Sequence, residues 1–253
     1  CATTPSPAPE APAIAHGDLP DDLDELRALT DSELERSLPT RRSLALATAA
    51  LQRATTLEAS PSFPTLWRQS KLNFHLANAS ENQDERISYA ERGAAHAERA
   101  REMKPERAEP HYFWALNTAL LAEARADKSL IKPMMEAAQR AASMDPGLDG
   151  AGPLRFLGKV YITAPGWPTS VGSTEKGVEV LEQAVKISNS FLNRLFLAEA
   201  YYHDAQLERA ASLCDTLQAD PNLENEPARW QKELSNYAQL IQTDMDDSGD
   251  PDF

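Results

Sequence analysis

Five stretches of this chain repeat one pattern: "ALQRATTLEASPSF", "GAAHAERAREMKPERAEP", "MMEAAQRAASMDPGLDG", "GVEVLEQAVKISNSF" and "ERAASLCDTLQADPNLE". Each has a small residue, an apolar residue about four positions on, a further small or apolar residue, and then a short polar link. Pro61, Pro105, Pro146 and Asn189 mark the links at spacings of 44, 41 and 43 residues. A second apolar-periodic run follows each stretch, so the unit is a pair of helices. Such a pair cannot bury its apolar stripe alone, and a stack of neighbouring pairs can. The periodicity predicts helices over 21–36, 39–58, 63–79, 82–104, 108–125, 128–144, 151–163, 174–188, 190–203, 206–219 and 223–243. Thr30-Asp31 before "SELER" and Ser173 before "TEKG" read as caps. No stretch of four or more residues alternates in strand fashion.

This scheme resembles the tetratricopeptide repeat. Leu154, Leu157, Gly158 and Tyr161 match the large, large, small and aromatic positions of the first helix of such a repeat, and Ala184 matches the small position of the second. The expected fold is all-α, a tetratricopeptide-like helical-hairpin solenoid of about eleven helices. An ordinary Ala-rich bundle is the competing arrangement. Solenoids curve, and the inner face is the usual binding surface.

The charge balance narrows the partners. With 39 acidic and 25 basic residues the chain carries a net charge of -14, which argues against nucleic acid and against an anionic bilayer, since both require a basic surface. No window approaches the roughly 20 apolar residues of a membrane span. Cys214 sits among apolar helix positions and is expected to act as a small hydrophobe. Cys1 differs: followed by "ATTPSPAPEAPAIAHGDLP", it resembles the processed start of a bacterial lipoprotein, in which the signal peptide is removed and the cysteine carries acyl chains such as palmitate. Residues 1–18 are then a Pro/Ala-rich disordered tether, 19–243 the helical domain, and 244–253 an acidic disordered tail. Three acyl chains suffice for stable anchoring, whereas one is marginal. Ala2 would imply the outer membrane, with the body facing the periplasm.

Ligand-site candidates cluster in three places. On the predicted helix 108–125, Phe113, Leu116, Leu120 and Ala124 form a face expected to enter the core, while Trp114, Asn117 and Leu121 form an extra line that either packs in the core or, with Tyr112, walls a ligand groove. The loop "APGWP" is restricted by its prolines and would hold Trp167 near Tyr161, either as a wall of the groove or as a local staple. Asn193 is a poor helix former, free on the surface or used for one specific hydrogen bond, and Arg155 is placed to reach Glu199 or Glu179. The expected ligand set is Tyr112, Trp114, Asn117, Arg155, Tyr161, Trp167 and Asn193. Nothing points to an enzyme, a metal or a cofactor: the five histidines are scattered, and HExxH, CxxC, GxSxG and a phosphate-binding glycine loop do not occur. The run "DMDDSGDPD" lacks the Glu that closes an EF-hand loop.

Over residues 40–220 the chain resembles a narrower family, the T component of tripartite ATP-independent periplasmic (TRAP) transporters. The likeness is carried by the Tyr112–Trp114 aromatic cluster, the Met144–Pro146 turn leading to Gly150 and Gly152, the Leu157–Gly158–Tyr161 helix, and the proline loop ending at Gly172. The resemblance implies a noncatalytic, lipid-anchored scaffold of the envelope. It further implies homotrimers, association with a periplasmic solute-binding protein, and an apolar small molecule lodged in the central pore. The alternative is a pilotin-like assembly scaffold that binds only protein.

Overall fold

The computed structural model describes residues 19–35, 38–166 and 170–248. Cys1, the tether and Trp167 lie outside that range. Short polar residues start most of the helices. Asp22 accepts hydrogen bonds from the amides of Asp24 and Glu25 and opens α1 (Leu23–Glu33). Thr40 does the same for α2 (Arg41–Leu57) and Asn82 for α4 (Gln83–Met103). Ser173 caps α8 (Thr174–Ile187) and Ser190 caps α9 (Phe191–His203). The first turn of α3 (Phe63–Ala79) instead holds a proline, whose missing amide is not needed there. Thr30 is no cap: it is buried inside α1, where its hydroxyl donates to the Leu26 carbonyl.

The remaining helices are α5 (Ala108–Arg125), α6 (Ile131–Met144), α7 (Leu148–Thr163), α10 (Leu207–Gln218) and α11 (Ala228–Ser248). The last of them, α11, differs from expectation at both ends. Residues 223–225 form a separate turn of 3-10 helix, and α11 begins only after Pro227. At its far end α11 continues through Asp244, so part of the expected acidic tail is helical. Ile241 is buried there and Met245 packs on the C-terminal core, which supplies the apolar contact an isolated acidic stretch lacks.

Each helix packs on the next in sequence, and each odd-numbered helix also touches the next odd-numbered one. This pair of contact rules builds a solenoid of helical hairpins with α11 as a final cap, and places α1, α3, α5, α7, α9 and α11 along one face. Close approach of consecutive helices depends on glycine. A Cβ on Gly158 of α7 would overlap Leu181 of α8, and a Cβ on Gly93 of α4 would overlap the Asn117 amide of α5. Leu181 and Leu195 are fully buried, each contributing about 2 kcal/mol of apolar transfer.

Polar ties fix the first turns of the stack. The Glu58 carboxylate accepts from Arg27 at 2.7 Å and from the Thr65 hydroxyl at 2.6 Å. Burial pushes the Glu58 pKa up, but the hydrogen bonds from Thr65, Ser62 and Arg27 outweigh it and hold the group below its ordinary value. The link between α1 and α2 also reaches far along the molecule. Leu38 packs against the cluster built from α7 to α11, which includes Phe196, Trp230 and Leu234.

Candidate functional site

The odd-numbered helices enclose a groove on their shared face. Its outer bay has a volume of about 640 Å3 and opens between α1, α3, α7 and α9, with Trp67, Lys71 and Phe191 on its walls. An inner cavity of about 200 Å3 continues beneath it, walled by Phe74, Phe156, Phe196 and Trp230 and edged by Leu38. Phe113, Asp149, Arg155 and Leu192 border both spaces, so the two are adjacent.

The partition between them is a strained turn. Asp149, Gly150 and Ala151 take left-handed dihedrals, with φ of 52°, 61° and 65°, before α7 becomes regular. Only glycine adopts this region freely, and the two other residues cost about 1 kcal/mol each. The surrounding hydrogen bonds explain why the turn persists. Arg155 Nη1 donates to the Gly150 carbonyl at 3.1 Å and to Asn193 Oδ1 at 2.9 Å. Its Nη2 donates to the Asp149 carboxylate at 3.3 Å. Asn193 Nδ2 donates to Gly150 O at 2.9 Å and to Ser188 O at 2.8 Å. The Tyr112 hydroxyl donates to Asp149 Oδ2 at 3.1 Å, and Lys71 Nζ stands 3.9 Å from Asp149 Oδ1. Burial, reinforced by the Asp149 charge, pushes the Tyr112 hydroxyl well above its ordinary pKa, so it remains a donor.

A second polar group sits at the inner end. Lys159 pairs with the buried Glu199, stands 3.6 Å from Glu233, and lies 4.7 Å over the Phe196 ring. The Tyr237 hydroxyl donates to Glu199 Oε1 at 2.6 Å. His75 is 7% exposed, and burial first, then the nearby Lys71 charge, lowers its pKa to about 3. Its ring is therefore neutral near neutral pH.

The expected ligand residues divide by location. Tyr112 and Arg155 line the groove, and Asn193 stands behind its partition, bonded to backbone and to Arg155. The hydrogen bonds of Arg155 and Asn193 go to the turn, and it is Lys159 rather than Arg155 that reaches Glu199. Trp114 and Tyr161 are absent from the groove walls. Both pack into the cluster of Met134, Met135, Leu157 and Val160 between α5, α6 and α7, with Arg101 stacked 4.9 Å from the Trp114 ring. Asn117 is fully buried and donates to Ser70 O and Phe113 O, at 3.2 and 2.8 Å. Phe113 enters the core as expected, 2% exposed with Leu116 packed beside it behind the groove wall, and the line of Trp114, Asn117 and Leu121 packs against neighbouring helices instead of lining the groove. The described end of the proline loop lies elsewhere too, since Ala164 and Pro165 border a depression of about 300 Å3 beside Ala119 and Met134.

Sequence reasoning passed over the side chains that form most of the groove. Trp67, Lys71, Phe74 and Asn78 recur at helical spacing along α3, and Leu192 and Phe196 do so on α9. The aromatic and basic line on α3 was the available signal. Among the described residues no cluster of three or more His, Cys, Asp or Glu side chains could hold a metal ion, and no helix is long and apolar enough to cross a membrane.

No protein-family model matches the chain, and no curated protein sequence matches it. Among solved structures, the chain is similar to a thermophilic TPR protein of Thermus thermophilus. That likeness has a TM-score of 0.62 at 14% identity and covers 84% of this chain and 99% of the other. The fold is therefore an all-α helical-hairpin solenoid of the tetratricopeptide kind.

Proposed function

We propose that this chain is a noncatalytic scaffold that receives a segment of a partner protein in its concave groove. The carrying observation is the bay of about 640 Å3, in which half-buried Trp67, backed by the buried Phe113 ring at 6.0 Å, lies beside partly exposed Leu192 and the Lys71–Asp149–Arg155 group. Rigid aromatic surface next to fixed charges is the composition of a protein-binding hot spot.

Cross-linking capture from the native host, with the wild type and two variants, tests this reading. Leu192→Glu places a charge in the groove and is expected to abolish capture of a specific partner. Leu240→Glu, on a residue 47% exposed and away from the groove, is expected to leave capture intact. Capture insensitive to Leu192→Glu would refute the groove as the docking face.

The finer reading places the scaffold in a bacterial envelope, tethered through an acylated Cys1 and trimeric in the manner of the T component, with a solute-binding protein as the partner and an apolar small molecule in the groove. Its support is the resemblance over residues 40–220 and the proline-rich composition of residues 2–18. Cys1→Ser is expected to move the protein from membranes to the soluble envelope fraction, and unchanged fractionation would reject the tether.

A further inference from the structure

The inner cavity carries two features that helix packing does not require. The first is a pair of buried ring nitrogens without partners. His75 Nδ1 on α3 and Trp230 Nε1 on α11 have no hydrogen bond, although both residues are at least nine-tenths buried and both line this space. Buried polar atoms of folded proteins are nearly always paired, because an orphaned donor keeps its desolvation cost without return. An occupant with an oxygen acceptor at the α11 wall would satisfy the indole N–H.

The second feature is charge. The chain as a whole has 39 acidic and 25 basic residues, yet the charged side chains around this cavity are Arg155, Lys159 and Arg229 against the single acid Asp149. Arg155 is engaged with the strained turn and Lys159 with Glu199 and Glu233. Arg229 lies 4.7 Å over the Trp230 ring and, among the described residues, has no carboxylate partner. One exposed cation without an ion-pair partner therefore stands at the mouth of the cavity beside one unpaired, buried N–H donor, and the other walls of that space include Phe74, Phe156 and Phe196. At about 200 Å3 the cavity is below the usual range for drug-sized ligands, which selects a compact occupant.

We propose that the inner cavity binds a small monocarboxylic acid with an aromatic or branched apolar body, its carboxylate against Arg229 and the Trp230 indole N–H and its body among the phenylalanines. This deepens the assignment of the concave face as the binding face and rests on that assignment. A partner's aromatic side chain would fill the same walls but bring no charge to Arg229, so the apolar space together with the free cation favours the acid.

Isothermal titration of the full chain with phenylbutyrate, and with phenylbutanol as its uncharged counterpart, tests the proposal. Saturable binding of the acid, at least about tenfold tighter than the alcohol, is expected. Arg229→Gln should remove that preference by weakening only the acid, and Trp230→Phe, which keeps a ring but loses the N–H, should weaken the acid by about tenfold. Circular dichroism of both variants confirms that they fold. Absence of saturable acid binding, equal affinity for acid and alcohol, or an acid affinity indifferent to Arg229→Gln would each overturn the proposal. If groove-dependent partner capture persists while the acid does not bind, the scaffold reading stands and the cavity is an anchor pocket for a protein side chain.

Discussion

The amide of Asn193 donates to the carbonyl of Gly150 at 2.9 Å, and through that bond α9 holds the left-handed turn at the head of α7. The same side chain accepts from Arg155 at 2.9 Å, so helix, turn and guanidinium form one unit. Because Asn193 is fully buried, removing its side chain leaves polar groups without water to replace it. Asn193→Ala is expected to cost about 2 kcal/mol, and Gly150→Ala, which adds a Cβ at positive φ, about 1 kcal/mol. Urea denaturation measures both, and a stability unchanged by Asn193→Ala would refute the clamp.

The contact between Gly93 and Asn117 predicts non-additive energetics. Gly93→Ala alone forces its new methyl into the Asn117 amide and is expected to destabilise by about 1–3 kcal/mol. Asn117→Ala alone loses the hydrogen bonds to Ser70 and Phe113. Combined, the second change makes room for the first, so the double variant should be more stable than the sum of the single losses implies, by at least about 0.5 kcal/mol. Strict additivity in a double-mutant cycle would show that the two helices approach differently.

The neutral, buried His75 gives a pH dependence of defined sign. Its pKa is lowered to about 3 in the folded chain, against about 6.5 when unfolded. Between these values the unfolded chain binds a proton that the folded chain refuses. Stability is therefore full above about pH 6.5 and declines as pH falls toward 3, by up to about 1.4 kcal/mol per pH unit from this residue. His96 and His111, also shifted down chiefly by burial, add in the same direction. His75→Gln should reduce the slope of unfolding free energy between pH 6 and pH 5 by nearly one proton, whatever its effect on absolute stability. An unchanged slope would mean that His75 can be protonated in place.

The helices were legible in the sequence because periodicity and link residues are local signals. The ranges 63–79 and 108–125 coincide with α3 and α5. Orientation was harder to read. On α5 three apolar lines run along one helix, and only the neighbours decide which meets a helix and which meets the groove. Phe113 stacks on Trp67 of α3, whereas Trp114 is taken by Met134 and Met135 of α6, and neither contact follows from spacing within α5. The left-handed run at Asp149–Ala151 was equally hidden. Gly150 suggested a turn, but holding Asp149 and Ala151 in the same region depends on Arg155 and Asn193, the latter more than forty residues away in sequence.

Leu38 changes how this stack should come apart. In a linear array of hairpins each unit answers only to its neighbours, and terminal units can fray while the middle survives. Here the first connection rests on the C-terminal core, so loosening α11 is expected to release Leu38, and loosening the α1–α2 link to open the cavity that Leu38 shares with Phe196 and Trp230. One leucine thus gives the first connection a share in the last core, and the two ends are expected to loosen together more than in an array without it.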